Sequence, residues 1–205
     1  MMLDEEVTNI LALAEDWNLP LARKDAEFLV AYLSQILKWN EHVNLTGARE
    51  LRELVGDHLP DSFALAKLCP REANVVDIGS GGGLPAVPFA VLRPDCSVTL
   101  VEPRAKRIAF LNMAARGCDY RRLKVVRARM EEIADSTFTV ATSRATFGPD
   151  EWLGMAPRLL STGGVAVVFA ANPVAGGVAG AQLVEAVAYT TSRGAPRWLG
   201  SYCFT

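Results

Sequence analysis

A short apolar run, Asn74-Val75-Val76-Asp77-Ile78, opens directly into Gly79-Ser80-Gly81-Gly82-Gly83, four glycines in five residues. The run is strand-sized and continuous rather than alternating, as befits a strand buried on both faces of a parallel sheet. The glycines allow backbone to approach a ligand where a side chain would block it. Pro85 falls near the start of the next helical pattern, where a missing N–H costs nothing. Strand, glycine turn and helix make the nucleotide-binding corner of an open α/β sheet.

The rest of the chain fits that corner. From residue 73 the pattern alternates, with strands expected at 73–78, 97–102, 124–128, 138–142 and 164–170. Helices are expected near 85–92, 104–116, 130–133 and 150–160. Parallel strands need crossover connections, so the alternation implies a mostly parallel sheet with helices on both faces. Beyond it lie a possible helix at 177–187 and strand-like stretches at 186–192 and 197–204; Asn172–Gly180 reads as a flexible connection. Residues 1–70 read as a helical extension, with helices over Leu3–Trp17, 22–40, Glu50–Asp57 and Pro60–Leu68, and residues 71–205 as the sheet domain, the whole making one structural unit. The aromatic stripe Phe28, Tyr32 and Trp39 reads as packing.

Two cofactors compete for the glycine loop. A dinucleotide fingerprint, G-x-G-x-x-G/A, fits only from Gly81 through Gly83 and Ala86, late relative to the strand. The pattern acid-x-G-x-G-x-G fits directly as Asp77, Gly79, Gly81 and Gly83, and is associated with S-adenosylmethionine (SAM). SAM has cationic groups that Asp77 can face, whereas a pyrophosphate would be repelled by that acid. Glu102, at the end of the second strand, is expected to accept the ribose hydroxyls, with a helix-capping role before Pro103-Arg104-Ala105 as the other reading.

Charge and cysteine usage narrow the setting. Residues 1–70 hold 12 acids against 6 bases, whereas 104–129 holds nine bases against Asp119 alone. Such a run either faces nucleic acid or is a solvated face. If it faces RNA, Arg121→Glu with Arg122→Glu weakens RNA binding and spares SAM binding. The cysteines at 69, 96, 118 and 203 have no metal-binding spacing and read as reduced thiols of a cytoplasmic protein. No metal site, signal peptide or membrane span is expected.

The order of these and several further segments is similar to that of the bacterial small-subunit rRNA guanine-N7 methyltransferases, known as the glucose-inhibited division protein B family. The resemblance runs through Trp39-Asn40-Glu41-His42-Val43-Asn44-Leu45-Thr46, His58-Leu59-Pro60-Asp61-Ser62, the glycine loop to Pro85, and Arg93-Pro94-Asp95. It continues through Lys106-Arg107 with Phe110-Leu111, Arg129-Met130-Glu131-Glu132, and Ser143-Arg144-Ala145. It implies a Rossmann-like, seven-stranded SAM-dependent fold and methyl transfer to guanine N7 of 16S ribosomal RNA, free or in the small subunit, by a monomer. It implies that Gly79 and Leu84 line the methionine end of SAM, that Met130 and Glu131 flank the adenine, and that Arg144 positions cofactor or substrate. No residue need act as acid or base, and His42 and His58 read as structural, with RNA contact open to His58. Where the family commonly carries Lys-Gly after the fifth strand, this chain reads Phe169-Ala170-Ala171-Asn172. A SAM methyltransferase with another substrate, and a non-catalytic SAM- or RNA-binding paralogue, remain alternatives.

Overall fold

Apolar residues recur at helical spacing over the first third of the chain and in short strand-length runs thereafter. The computed structural model, which describes residues 2–117, 122–174 and 180–205, follows that division. Helices α1 (Met2–Asp16), α2 (Arg23–Val43), α3 (Leu51–Glu53) and α4 (Leu59–Leu68) come first. Then follow β1 (Asn74–Ile78), α5 (Ala86–Leu92), β2 (Ser97–Val101), α6 (Ala105–Gly117), β3 (Leu123–Val126), β4 (Phe138–Ser143) and α7 (Pro149–Met155). The last elements are β5 (Leu160–Ala170), β6 (Ala181–Thr190) and β7 (Pro196–Phe204).

Among the described residues the strands form one seven-stranded sheet, ordered β3-β2-β1-β4-β5-β7-β6. The first five in that order are parallel, and β7 runs antiparallel to both β5 and β6. Adjacent residues of one strand feed opposite faces. Val75, Val98, Val140 and Val167 join a core with α1, α2, α4, α5 and α6, whereas Val76, Ala141, Ala166 and Val168 pack with Trp152 and Leu153 of α7. Burying apolar side chains on both faces is the main force holding the layers together. The chain leaves β1 in one direction through β2 and β3, then returns to β4 on its other side, so the crevice beyond the ends of β1 and β4 is the natural ligand site.

Several expected elements differ. Residues 181–187 are strand, not helix: β6 pairs with β7 from Ala181↔Phe204 to Thr190↔Pro196, so tertiary pairing outweighs the helix-forming Ala, Gln, Leu and Glu there. The connection proposed over 172–180 falls partly outside the described residues. The expected helix at 130–133 is a single 3₁₀ turn, Met130–Glu132. The helix expected at 150–160 ends at Met155, passes into a 3₁₀ turn at Ala156–Leu159 that contains Pro157, and becomes β5 at Leu160. The helices expected at Glu50–Asp57 and Pro60–Leu68 are joined by a π-helical turn, Leu54–His58. Such turns alter the direction of side chains relative to a regular helix and recur at functional sites.

The Arg93-Pro94-Asp95 segment is structural. The Arg93 guanidinium forks onto Asp95 at 2.8 Å and donates to the carbonyls of Ala66, Cys69 and Pro70. It thereby satisfies acceptors at the C-terminus of α4, which a helix leaves unpaired. The same hydrogen bonds hold the Asp95 carboxyl well below the usual carboxylate range. Cys69 and Cys96 are buried free thiols and Cys203 is a half-buried one, while Cys118 lies outside the described residues.

Candidate functional site

The glycine loop is folded back on the end of β2. The Gly79 and Ser80 N–H groups donate to the Val101 carbonyl at 2.8 and 3.1 Å. Gly79 and Gly83 have φ of +74° and +84°, a region that side chains strongly disfavour. Tyr32 of α2 donates its hydroxyl to the Gly82 carbonyl at 2.5 Å. Tyr32 is therefore core packing, as expected, and also a strut under the loop.

Asp77 is almost fully buried, and one of its carboxylate oxygens has no hydrogen-bond partner among the described residues. Burial pushes its carboxyl up to about 7, against smaller opposing effects of Ser80 and Arg144. A buried orphan oxygen beside a glycine loop is costly unless a donor arrives to meet it. Glu102 is as deeply buried but satisfied: its oxygens accept from the Gly81 N–H at 3.1 Å and the Arg104 N–H at 2.9 Å. The Arg107 guanidinium stands 3.6 Å away. Glu102 thus fastens the loop to the start of α6, and it lines neither of the two cavities described next.

Those cavities flank the loop and share Gly79 and Thr146. One, of about 500 Å³, is walled by Ile78, Val101, Pro103, Met130, Glu131 and Phe147 among others. The second, of about 270 Å³, is walled by the glycine loop, Leu84, Thr46, His58, Arg107 and Arg144. The first is the larger and carries Arg104, Arg129 and Glu131 beside its apolar wall, and the second carries His58, Arg107 and Arg144. Met130 and Glu131 share the wall of the first; the Met130 side chain also reaches the core, and Glu131 is exposed. Arg158 holds their turn by donating to the carbonyls of Met130 and Ile133 at 2.5 and 3.0 Å.

Arg144 follows β4 directly, and its side chain is largely buried. Its Nε lies 2.6 Å from the buried Asp61 carboxylate, and its Nη2 lies 2.8 Å from His58 Nδ1. A guanidinium can only donate, so His58 Nδ1 accepts and the neutral ring carries its proton on Nε2. Burial and the Arg144 charge lower His58 to about 4, consistent with that neutral form. Tyr189 of β6 donates to the other Asp61 oxygen, so the antiparallel end of the sheet is tied to the same group. The spacing of His58 and Asp61, three residues apart, brings both to one side of the helical segment. That spacing is the signal by which sequence reasoning could have joined them to Arg144.

The Trp39–Thr46 segment ends α2 beside the loop. Asn40 accepts from the Leu45 and Thr46 N–H groups at 2.6 and 3.0 Å and donates to the Thr46 carbonyl. The resulting turn sets Leu45 against Gly82, and Arg107 closes it by donating to the Asn44 carbonyl at 2.9 Å. His42, by contrast, is exposed, and Ala170 ends β5 opposite Trp198 of β7 with no lysine nearby in the sequence.

The sequence profile described as rRNA small subunit methyltransferase G matches residues 25–182. The chain belongs to the rRNA small subunit methyltransferase G family. A family relative from Leptothrix cholodnii is 36% identical over 160 residues, covering 76% of this chain and 73% of its own length. One from Neisseria gonorrhoeae is 37% identical over 136 residues, covering 66% of each chain. The chain thus spans about two thirds of the curated family members it matches. A SAM-dependent methyltransferase from Aquifex aeolicus shares the fold, with a TM-score of 0.54 at 12% identity over 84% of this chain and 98% of the other. So does TYW2 of M. jannaschii, solved with AdoMet, with a TM-score of 0.54 at 12% identity over 71% of this chain and 75% of the other. Among the described residues no helix is long and apolar enough to cross a membrane.

Proposed function

We propose that this member of the rRNA small subunit methyltransferase G family binds SAM and transfers its methyl group to N7 of a guanine in 16S ribosomal RNA. The observation that carries the reading is the buried, unpartnered Asp77 oxygen beneath a glycine loop flanked by two cavities, one walled by Ile78, Val101, Met130 and Phe147 and the other by Leu84, His58 and Arg144. That arrangement fits a ligand with a flat aromatic end and an amino acid end. Met130 and Glu131 would flank the adenine, Gly79, Gly81, Gly83 and Leu84 would leave room for the methionine end, and Asp77 would meet its ammonium group. Glu102 fixes the loop and, although it lines neither cavity, keeps lone pairs that would accept the ribose hydroxyls of a ligand spanning the two.

When bound, SAM supplies an electron-poor methyl group on sulfonium. Guanine N7 offers a lone pair and has no proton to lose, so the protein needs no general base. Its part is to hold nitrogen, carbon and sulfur nearly in line and to keep water out. Arg144, oriented by Asp61 and His58, has donors left for the base or the methionine carboxylate. A base in folded RNA must be presented unstacked, which favours an accessible loop. We read residues 1–70 as a helical extension of the catalytic domain at 71–205, and the protein as a cytoplasmic monomer acting on free 16S RNA or the small subunit.

Cofactor binding should be proton-linked. With its carboxyl at about 7, Asp77 is largely protonated below neutrality and contributes stability there that is lost as pH rises through 7. Pairing with an ammonium requires the ionised form. SAM affinity is therefore expected to rise as pH increases from 5 to 7 and then level off, by up to about tenfold per unit. Calorimetric titration at several pH values reads this directly, with near one proton released at pH 6 and few at pH 8. The Asp77→Asn protein should bind more weakly and lose the slope. PH-independent binding by the wild type from 5 to 8 would remove Asp77 from the site.

A further inference from the structure

The basic run at 104–129 does not form one patch. α6 follows β2 directly, so its start lies at the carboxyl ends of the strands and its last turn at the opposite edge of the sheet. Arg116 falls in that last turn. Arg122 also belongs to the far edge: its carbonyl accepts from the Val98 N–H at the start of β2, and its guanidinium donates to the Asp95 carbonyl at 2.6 Å. Arg121 lies outside the described residues. The charges beside the crevice are Arg104, Lys106, Arg107, Arg127 and Arg129, and Arg127 is turned back onto the Pro103 carbonyl at 3.4 Å.

Three of them meet in one place. A cavity of about 320 Å³ between the end of α2 and the start of α6 is walled by His42, Val43, Asn44, Arg104, Lys106 and Arg107, with no acid among its lining residues. The Arg104 and Lys106 side chains are exposed and make no hydrogen bond or ion pair among the described residues. Arg107 also walls the smaller of the two cavities beside the glycine loop, so the two spaces adjoin. Arg107 has Glu102 as its counter-charge, but Arg104 and Lys106 have none among the described residues, and an anion arriving between these two relieves their mutual repulsion.

We propose that this cavity seats a backbone phosphate of the single-stranded RNA next to the target nucleotide, held by Lys106 and Arg104 and bounded by Arg107 and His42. The proposal rests on the reading of RNA as substrate. It replaces a general basic face with one phosphate position set beside the reaction crevice, and it removes Arg116 and Arg122 from RNA contact. Phosphate contacts of this kind fix the register of the strand without reading its sequence.

The test is the salt dependence of binding to a single-stranded loop fragment of 16S RNA, together with SAM titration. For Lys106→Ala the slope of log K against log salt should shrink by about 0.7, the value for one single-strand phosphate contact. SAM affinity should be unchanged. Arg116→Ala, at the far edge, should match wild type in both. An unchanged slope in Lys106→Ala, with wild type binding RNA normally, would overturn the phosphate position. Equal losses in Arg116→Ala and Lys106→Ala would overturn it too, in favour of a diffuse basic face. Failure of the wild type to bind RNA would overturn the substrate reading, and this inference with it.

Discussion

Replacing Arg144 with Ala is expected to reduce methyl transfer by about 100-fold, the scale set by misplacing a group in a positioned site. It is also expected to destabilise the protein by about 3 kcal/mol, because it leaves the buried Asp61 carboxylate without its cation. Asp61 is 2% exposed and, among the described residues, retains only Tyr189 as a neutral partner. Arg144→Lys keeps the charge but not the fork between Asp61 and His58. It should restore most of the stability and little of the activity, which separates positioning from folding. Thermal melting and turnover at saturating SAM read the two effects independently. Acid should strain the same group. His58, held near 4 in the fold, contributes stability in full above about 6.5 that is lost as pH falls toward 4.

Gly83→Ala should disrupt the loop itself. At φ of +84° a Cβ would lie 2.7 Å from Val87 Cγ2, 2.9 Å from the Tyr32 hydroxyl and 3.1 Å from Leu111 Cδ2. Neighbours from α2, α5 and α6 all press on that point, so no single side chain can give way. Backbone strain and overpacking together predict a loss on the order of 3 kcal/mol and SAM binding too weak to measure. Gly81→Ala is the informative contrast. Its Cβ would meet nothing closer than 3.7 Å, although its φ of +57° also disfavours a side chain. It should fold with a smaller loss, and any deficit should fall mainly on ligand binding. Equal stability of Gly83→Ala and wild type would show that the loop tolerates what this packing forbids.

The order of elements from residue 73 and the glycine corner were legible because buried parallel strands and glycine turns are local patterns. The far end was not. Ala181–Thr190 has residues that favour helix in isolation, and its strand exists because β7 offers it a partner along its length. The site divides in the same way. Asp77 and the loop could be found from adjacent residues, whereas the Arg144–Asp61–His58–Tyr189 network joins three separate stretches of sequence. The two readings of Glu102 were both available from sequence, and the capping one describes its hydrogen bonds here. The nine bases looked like one surface in the sequence because the linear run hides the reversal between the start of α6 and the start of β3.

The most direct measurement is transfer of a labelled methyl group from SAM to 16S ribosomal RNA and to small ribosomal subunits, followed by digestion to nucleosides. The expected product is labelled 7-methylguanosine in at least one of the two, with Arg144→Ala close to background. A folded protein that binds SAM and leaves both RNA forms unlabelled, or that places the label on any other atom, would contradict guanine-N7 methylation.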